Sequence, residues 1–353
     1  MDAAALIPEP DALQVGWGWF QILLTLTFVL HILLMNALFG GALITWLGGL
    51  RRTGPAALAA RDTSRRVPTL VALTVNAGVA PLLFLQVLYG QFFYTSSIVI
   101  AGWWLAIIPL LIIAYYATYG VALKYEAAVR PLLAAGVVVI LAFIGFLWTT
   151  NNTLSLTPDR WTAWFTHPDG SSLLLGLPTV WPRWLHMMNG AVAVGGLFVA
   201  LLQDRKARRG DEDAVAARDW ALAFFNIGSL IQMGLGLWWL MALPEPVMKT
   251  FMGGSPAAAT LLVVGVGLAV TAVVLGFRKR VRGAAMALVA TVLAMATMRE
   301  VVRFGHYDGV FHPRELAVAP QVSPLILFLA VFAVGIACVT TMLRLAARAG
   351  KEA

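Results

Sequence analysis

Cysteine is almost absent from this 353-residue sequence, which contains Cys338 alone. One cysteine excludes an internal disulfide, and without a Cys-x-x-Cys-His motif the chain can neither attach a c-type haem covalently nor ligate an iron–sulfur cluster. A glycine-rich nucleotide loop is missing too, because the Gly-x-Gly strings lie within apolar runs, where glycine is typical of helix packing. Any redox cofactor would therefore be held without a covalent bond, by histidine or methionine.

Charged residues are also scarce, at 12% of the chain against 60% hydrophobic residues. This balance leaves too little polar surface for a soluble domain. Apolar runs of the roughly 20 residues needed to cross a bilayer occur at 17–48, 67–97, 101–123, 131–150, 181–203, 219–243, 257–277, 284–303 and 323–343. The sequence therefore predicts an all-α, polytopic membrane helical bundle of about nine transmembrane helices, forming a single transmembrane domain over residues 1–353.

Lysine and arginine alternate between rich and poor connections, as cytoplasmic and external loops do. Nineteen of the 25 lie on one side, and the other side has Arg160, Arg183, Lys249, Arg299, Arg303 and Arg314. We therefore expect a multi-pass protein of the bacterial inner (cytoplasmic) membrane, with a periplasmic N-terminus and a cytoplasmic C-terminus. Topology and contact with membrane lipid explain the net charge of +8, so no nucleic-acid partner is expected.

The middle of every span lacks Asp, Glu, Lys and Arg, which disfavours ion transport through a carboxylate relay. Two histidines occur there instead: His31 near the middle of the first span, and His186 about one turn inside the fifth. Arg183 precedes His186 by three residues and shares its helix face. Each imidazole either ligates a haem iron or has a structural role. If His186 ligates a haem, Arg183 pairs with the propionates of that haem. The structural role is a hydrogen bond to a neighbouring carbonyl or amide for His31, and a place in an interfacial aromatic belt for His186.

Three segments resemble subunit I of the cytochrome bd quinol oxidases. Phe20 to His31 is similar to the family's first helix, where a histidine ligates a haem of the oxygen-reducing site. Val75-Asn-Ala-Gly-Val-Ala80, followed by Gln86, is similar to the second helix, and Arg183-Trp-Leu-His186 resembles the start of the fifth, where a histidine ligates low-spin haem b. The resemblance implies His31 and His186 as metal ligands, Arg183 as a cofactor-binding residue and Gln86 as a catalytic residue lining the pocket. It implies haem b as cofactor and leaves a second haem, of b or d type, open.

The sequence departs from that family at several positions. Gln86 replaces a glutamate, and residues 103–123 contain no carboxylate. The run 261–267 has no methionine to serve as second haem ligand, so a haem at His186 would take Met252, Met298 or a residue of a partner as its second ligand, or would be five-coordinate. Where the family presents a haem-ligating glutamate followed by an aromatic residue and glycine, this chain has Arg303-Phe-Gly-His306, with Glu300 and His306 as nearby candidates.

The family's long outer quinol loop is also missing, because only 244–256, which includes Lys249, separates the sixth and seventh spans. The sequence thus predicts a diverged member without that loop, which receives electrons from a periplasmic c-type cytochrome. The outer connection 149–180 is either the docking surface for this partner or a lid over the helix ends; its prominent side chains are Trp161, Trp164, Phe165 and His167. The inner connections, including a linker at 55–60, show no catalytic pattern.

Two functions follow from these observations. The first is a b-type haem electron-transfer subunit of a respiratory complex, working with other membrane subunits, with oxygen reduction left open. The second is a haem-poor membrane anchor that docks a periplasmic redox protein. The surviving histidines favour the first function, and the missing second ligands favour the second.

Overall fold

The computed structural model describes residues 7–166, 168–171, 173 and 175–352, and these residues form helices without a strand. The helices are α1 (Trp17–Gly49), α2 (Gly54–Ser64), α3 (Val67–Val99), α4 (Ala101–Leu123), α5 (Arg130–Ser155), α6 (Val180–Ala207), α7 (Glu212–Ala242), α8 (Glu245–Lys249), α9 (Pro256–Phe277), α10 (Val281–His306) and α11 (Val322–Glu352). We call the end at which α1 begins the outer end, and the opposite end the inner end.

Within the described part of the chain, nine helices are long and apolar enough to cross a membrane, α2 and α8 being the two short ones. This confirms the predicted helical bundle. Several helices extend further than their apolar runs: α7 begins at Glu212, where Asp211 caps it by accepting a hydrogen bond from the Ala214 amide at 3.1 Å. A polar first turn lies outside the hydrocarbon, so hydropathy detects the buried part of a helix and misses its end.

The linker predicted at 55–60 is wrong, because these residues form most of α2. Proline is well accommodated in the first turn of a helix, and the alanines that follow have the highest helix propensity. Ala59 and Ala60 are fully buried against the rest of the bundle. A Cβ added at Gly48 of α1 would lie 2.5 Å from the Ala56 carbonyl oxygen, so glycine is needed where α1 meets α2.

Helix α1 packs against α3 and α6, and α6 packs along α7. At the crossing of α1 and α6, Gly40 faces Gly195 so closely that a Cβ on either residue would overlap the backbone of the other. His31 and His186 each precede their glycine by nine residues. At 1.5 Å per residue both imidazoles lie roughly 14 Å outward of this contact, and so at similar depth.

Helix α11 differs from the others because no residue of its most apolar 18-residue window is buried. The segment before it is tied to the N-terminal region by the Leu13 amide, which donates to Ala317 O at 2.7 Å, and by the Ala319 amide, which donates to Leu13 O at 2.7 Å. Cys338 is accordingly exposed on this helix. An apolar helix with this exposure contacts lipid or another membrane subunit.

Candidate cofactor site at the outer end

A buried cluster of charge lies on α10 near the outer end. Arg299, Glu300 and Arg303 share one helix face, since residues three and four apart are neighbours. Glu300 Oε2 accepts a hydrogen bond from Arg303 Nη1 at 2.5 Å, and Glu300 Oε1 accepts one from Arg299 Nη1 at 3.1 Å. Glu300 is only 5% exposed and Arg303 3% exposed. These residues near the end of the predicted span are thus inside the protein.

Two further helices complete this cluster. Gln21 of α1 donates from Nε2 to Glu300 Oε2 at 2.9 Å, and Tyr89 of α3 donates from Oη to Gln21 Oε1 at 3.0 Å. The Arg303 guanidinium lies over the Tyr89 ring, 4.6 Å from its centroid. Helix α3 is kinked at Tyr89, whose φ of −136° and ψ of 27° are not helical. Neither Gln21 nor Tyr89 was predicted as a site residue: Gln21 lies in the Phe20 to His31 segment, but its partner Glu300 is distant in sequence, and no sequence signal indicates the kink at Tyr89.

Arg183 brings a third guanidinium to this region from α6. Its Nη1 donates to Thr153 Oγ1 at 3.2 Å, and its Cζ lies 5.5 Å from the centroid of the Trp239 ring. Arg299 and Arg303 are close enough to repel it electrostatically. Glu300 pairs with Arg299 and Arg303, whereas no carboxylate pairs with Arg183 among the described residues, so this region holds three guanidinium groups and one carboxylate. Buried, uncompensated positive charge of this kind favours an anionic group nearby.

His186 lies on the same face of α6, since its ring centroid is 5.5 Å from that of Trp239, the indole that Arg183 also contacts. Its Nδ1 is buried and has no hydrogen-bond partner among the described residues. The His186 backbone is held by Gln232, whose Nε2 donates to the His186 carbonyl oxygen at 2.8 Å. Gly236 gives the ring room, because a Cβ there would lie 3.3 Å from His186 Cε1. The His186 imidazole of α6 thus packs against α7, and its Nδ1 has no hydrogen-bond partner among the described residues.

His31 faces a different neighbour, α3. Its Nδ1 lies 3.1 Å from Thr74 O, and because a carbonyl only accepts, Nδ1 carries the proton and Nε2 keeps its lone pair. A Cβ at Gly78 would lie 2.8 Å from His31 Cε1, so the ring rests directly on the α3 backbone. Metal-ligating histidines commonly donate their second N–H to a carbonyl in this way, and a structural imidazole does the same. Both interpretations of His31 agree with this geometry.

The structure does not bring all the predicted site residues together. His31 is directed toward α3 and His186 toward α7, so the two rings contact different helices. Gln86 lies eight residues beyond Gly78 on α3, about 12 Å along the helix axis from the point where His31 rests. A role for Gln86 beside His31 therefore stays a prediction.

The candidate second ligands also differ in position. Met298 packs against α9, where a Cβ at Gly265 would lie 3.0 Å from Met298 Cε, and it belongs to the same apolar cluster as Trp239. Met252 is 67% exposed. Glu300 is occupied by its arginine partners, whereas His306 Nε2 is buried without a hydrogen-bond partner in the described structure. No group of three or more His, Cys, Asp or Glu that could hold a bare metal ion occurs among the described residues.

The outer connection between α5 and α6 is partly a lid. Trp161, on a 3₁₀ segment at Pro158–Phe165, is buried, donates from Nε1 to Leu154 O at 2.9 Å and packs against Phe92. Phe165 is 71% exposed and remains available for contact with a partner. His167 lies outside the described residues.

No family model and no curated protein matches this sequence. Among solved structures, the chain is similar to the bd oxidase from Geobacillus thermodenitrificans, with a TM-score of 0.70 and 16% sequence identity over 97% of this chain and 98% of that chain. Likeness at this identity shows the fold, which is that of a bd oxidase-like membrane helical bundle. The predicted fold class is thereby confirmed.

Proposed function

We propose that this protein is a membrane subunit of a respiratory complex that binds b-type haem and transfers electrons, diverged from subunit I of the bd oxidases and without their quinol loop. One observation carries the proposal: His186, with an unpaired ring nitrogen, and Arg183, with no carboxylate partner among the described residues, contact the same indole of Trp239. A haem offers iron to the imidazole and propionates to the guanidinium, so the donor chemistry of these residues fits it.

A haem bound there would supply one-electron transfer. The residues of the chain would hold and insulate it: His186 as ligand, Arg183 as propionate partner, and Gln232 as the residue that positions His186 through its backbone oxygen. The carboxylate of Glu300 would offset one of the three guanidinium charges, and the two propionates of a haem would neutralise the other two. His31, oriented by Thr74, is the proposed ligand of a second haem, of b or d type.

The proposed partners follow from the outer surface. The connection between α7 and α9 contains only α8 and a π turn at Thr250–Gly254, and Lys249 pairs with Glu245 at 2.6 Å. A short connection of this kind supports an electron donor other than quinol, and we propose a periplasmic c-type cytochrome near Phe165.

The exposed α11 supports a second membrane subunit. The distribution of lysine and arginine supports the bacterial inner membrane.

Pyridine haemochrome and reduced-minus-oxidised spectra of the purified full chain test this function. We expect b-type haem, loss of one spectral component in His186→Ala, and loss of a different one in His31→Ala. Arg183→Gln should keep its haem but change its midpoint potential, since one charge beside the propionates is removed. His312→Ala, outside the spanning helices, is the matched control and should retain full haem content. Haem content unchanged by His186→Ala would refute the assignment.

The second candidate is the haem-poor anchor, with which the environment of His31 also agrees. Its N–H is already paired with Thr74 O and its ring rests on Gly78, so a purely structural imidazole is well satisfied there. In that case well-folded protein contains no haem, and His31→Ala lowers the stability without any spectral change. Thermal unfolding measured beside the spectra distinguishes the two functions.

A further inference from the structure

A basic cleft opens at the inner end of the bundle, away from the cofactor site. It lies between the C-terminal part of α2 and the turn joining α4 to α5, and it has a volume of about 290 Å³. Its lining is Arg61, Ser64, Arg65, Ala122, Leu123, Lys124, Tyr125, Glu126 and Ala127. This volume is near the lower end of the range for small-molecule sites, about 300 to 1,000 Å³, and suits a compact headgroup.

The lining of the cleft is positively charged. Arg61, Arg65 and Lys124 contribute three cations, while Glu126 contributes one carboxylate, which lies 3.4 Å from the Arg61 guanidinium. That ion pair is largely exposed and therefore weak, so it can open to another anion at little cost. The positive-inside rule explains why basic residues lie at this end. It does not explain why they surround a cleft.

Tyr125 provides an independent observation. Its hydroxyl is buried and has no hydrogen-bond partner of acceptable geometry among the described residues. The Arg130 guanidinium lies over the ring face, 4.4 Å from the centroid, while its Nη2 donates to Gly49 O. A guanidinium carries only donors, so Arg130 fixes the ring but gives the Tyr125 O–H proton no acceptor. A buried donor left unpaired costs about 1 to 3 kcal/mol, and an anionic oxygen in the cleft would remove that cost.

The cleft borders an apolar surface that belongs to the membrane. Leu123 is 81% exposed and Leu132, near the start of α5, is 73% exposed. These side chains continue from the basic lining along the lipid-facing sides of α4 and α5. A ligand that matches both surfaces carries a phosphate and acyl chains, whereas a free phosphate would use the basic part alone.

We propose that this cleft binds the headgroup of an anionic glycerophospholipid of the inner leaflet. The phosphate contacts Arg61, Arg65 and Lys124, the Tyr125 hydroxyl donates to a phosphate or glycerol oxygen, and the acyl chains lie over Leu123. Basic pockets between membrane helices on the cytoplasmic side recognise anionic headgroups by this combination of charge and interfacial depth. The proposal does not depend on haem, so it stands or fails separately from the proposed function.

Thermal unfolding of the detergent-solubilised full chain tests the proposal with three soluble probes: dihexanoylphosphatidylglycerol, dihexanoylphosphatidylcholine and inorganic phosphate. The rise of the unfolding temperature with probe concentration yields an apparent Kd for each. We expect the phosphatidylglycerol to bind at least roughly tenfold more tightly than either other probe, since each basic residue near an anionic headgroup contributes about a factor of five. Equal binding of phosphatidylcholine would overturn recognition by charge, and equal binding of inorganic phosphate would overturn the lipid assignment.

Variants then locate the site. Arg61→Gln with Arg65→Gln should weaken phosphatidylglycerol binding roughly 30-fold, and Tyr125→Phe, which removes only the hydroxyl, roughly fivefold. Arg51→Gln with Arg52→Gln is the control, because it removes the same charge from the same end outside the cleft. If the double variant at the cleft does not fold, Tyr125→Phe and Lys124→Gln carry the test. An equal loss in the control would overturn the location.

Discussion

Replacing Glu300 by glutamine tests whether the outer charge cluster is a cooperative unit. Glu300→Gln keeps the shape of the side chain but removes the single negative charge that Arg299 and Arg303 contact, and it replaces one of the two acceptor oxygens by a donor. The three guanidinium groups, Arg183 included, then repel one another with no compensating charge. Breaking a buried ion pair by removing one partner costs about 3 to 5 kcal/mol, and we expect a loss of free energy of unfolding in that range.

The measurement is reversible unfolding of the full chain in mixed detergent and SDS micelles, followed by tryptophan fluorescence. Glu245→Gln is the matched control: Glu245 pairs with Lys249 at 2.6 Å, but the two side chains are 70% and 67% exposed. An exposed pair contributes about 0 to 1 kcal/mol, so the control should lose little. If Glu300→Gln loses no more stability than Glu245→Gln, the charges of the buried cluster do not stabilise one another.

Two further predictions concern histidines. Gly78→Ala should destabilise the protein by about 1 to 3 kcal/mol, because the added Cβ would lie 2.8 Å from His31 Cε1. The control Gly136→Ala should be neutral or stabilising, because its Cβ would have no atom within 4 Å. Chemical denaturation compares the two variants, and equal effects would contradict the close contact between Gly78 and His31. His312, outside the spanning helices, accepts a hydrogen bond on Nδ1 from the Arg314 amide at 3.0 Å, and burial lowers its pKa from the ordinary value of 6.5. The His312 imidazole therefore binds a proton more tightly in the unfolded chain than in the folded protein, and the free energy of unfolding should fall as the pH drops below about 6.5. His312→Gln should show a shallower fall with pH. Identical pH profiles would exclude a contribution of His312 to the pH dependence.

The membrane-spanning helices could be predicted from sequence because each depends on local composition. An apolar run of about 20 residues has to satisfy its backbone hydrogen bonds internally, so it becomes a helix whatever its neighbours are. The start of α7 and the whole of α2 could not be predicted from hydropathy, because they lie outside the hydrocarbon. The alanine-rich composition of α2, with proline in its first turn, does indicate a helix.

The sequence by itself determined the helical membrane class, the approximate spans and the two histidines as the residues to examine. Only the tertiary structure decided what those residues meet: Gln21 contacts Glu300 across 279 positions, and Tyr89 joins them from a kinked helix. The physical reason is that a helix specifies its own hydrogen bonds locally, whereas side-chain neighbours depend on which helix faces pack together. The directions of His31 and His186 toward different helices, and the burial of Arg303 beside the end of its span, follow from that packing.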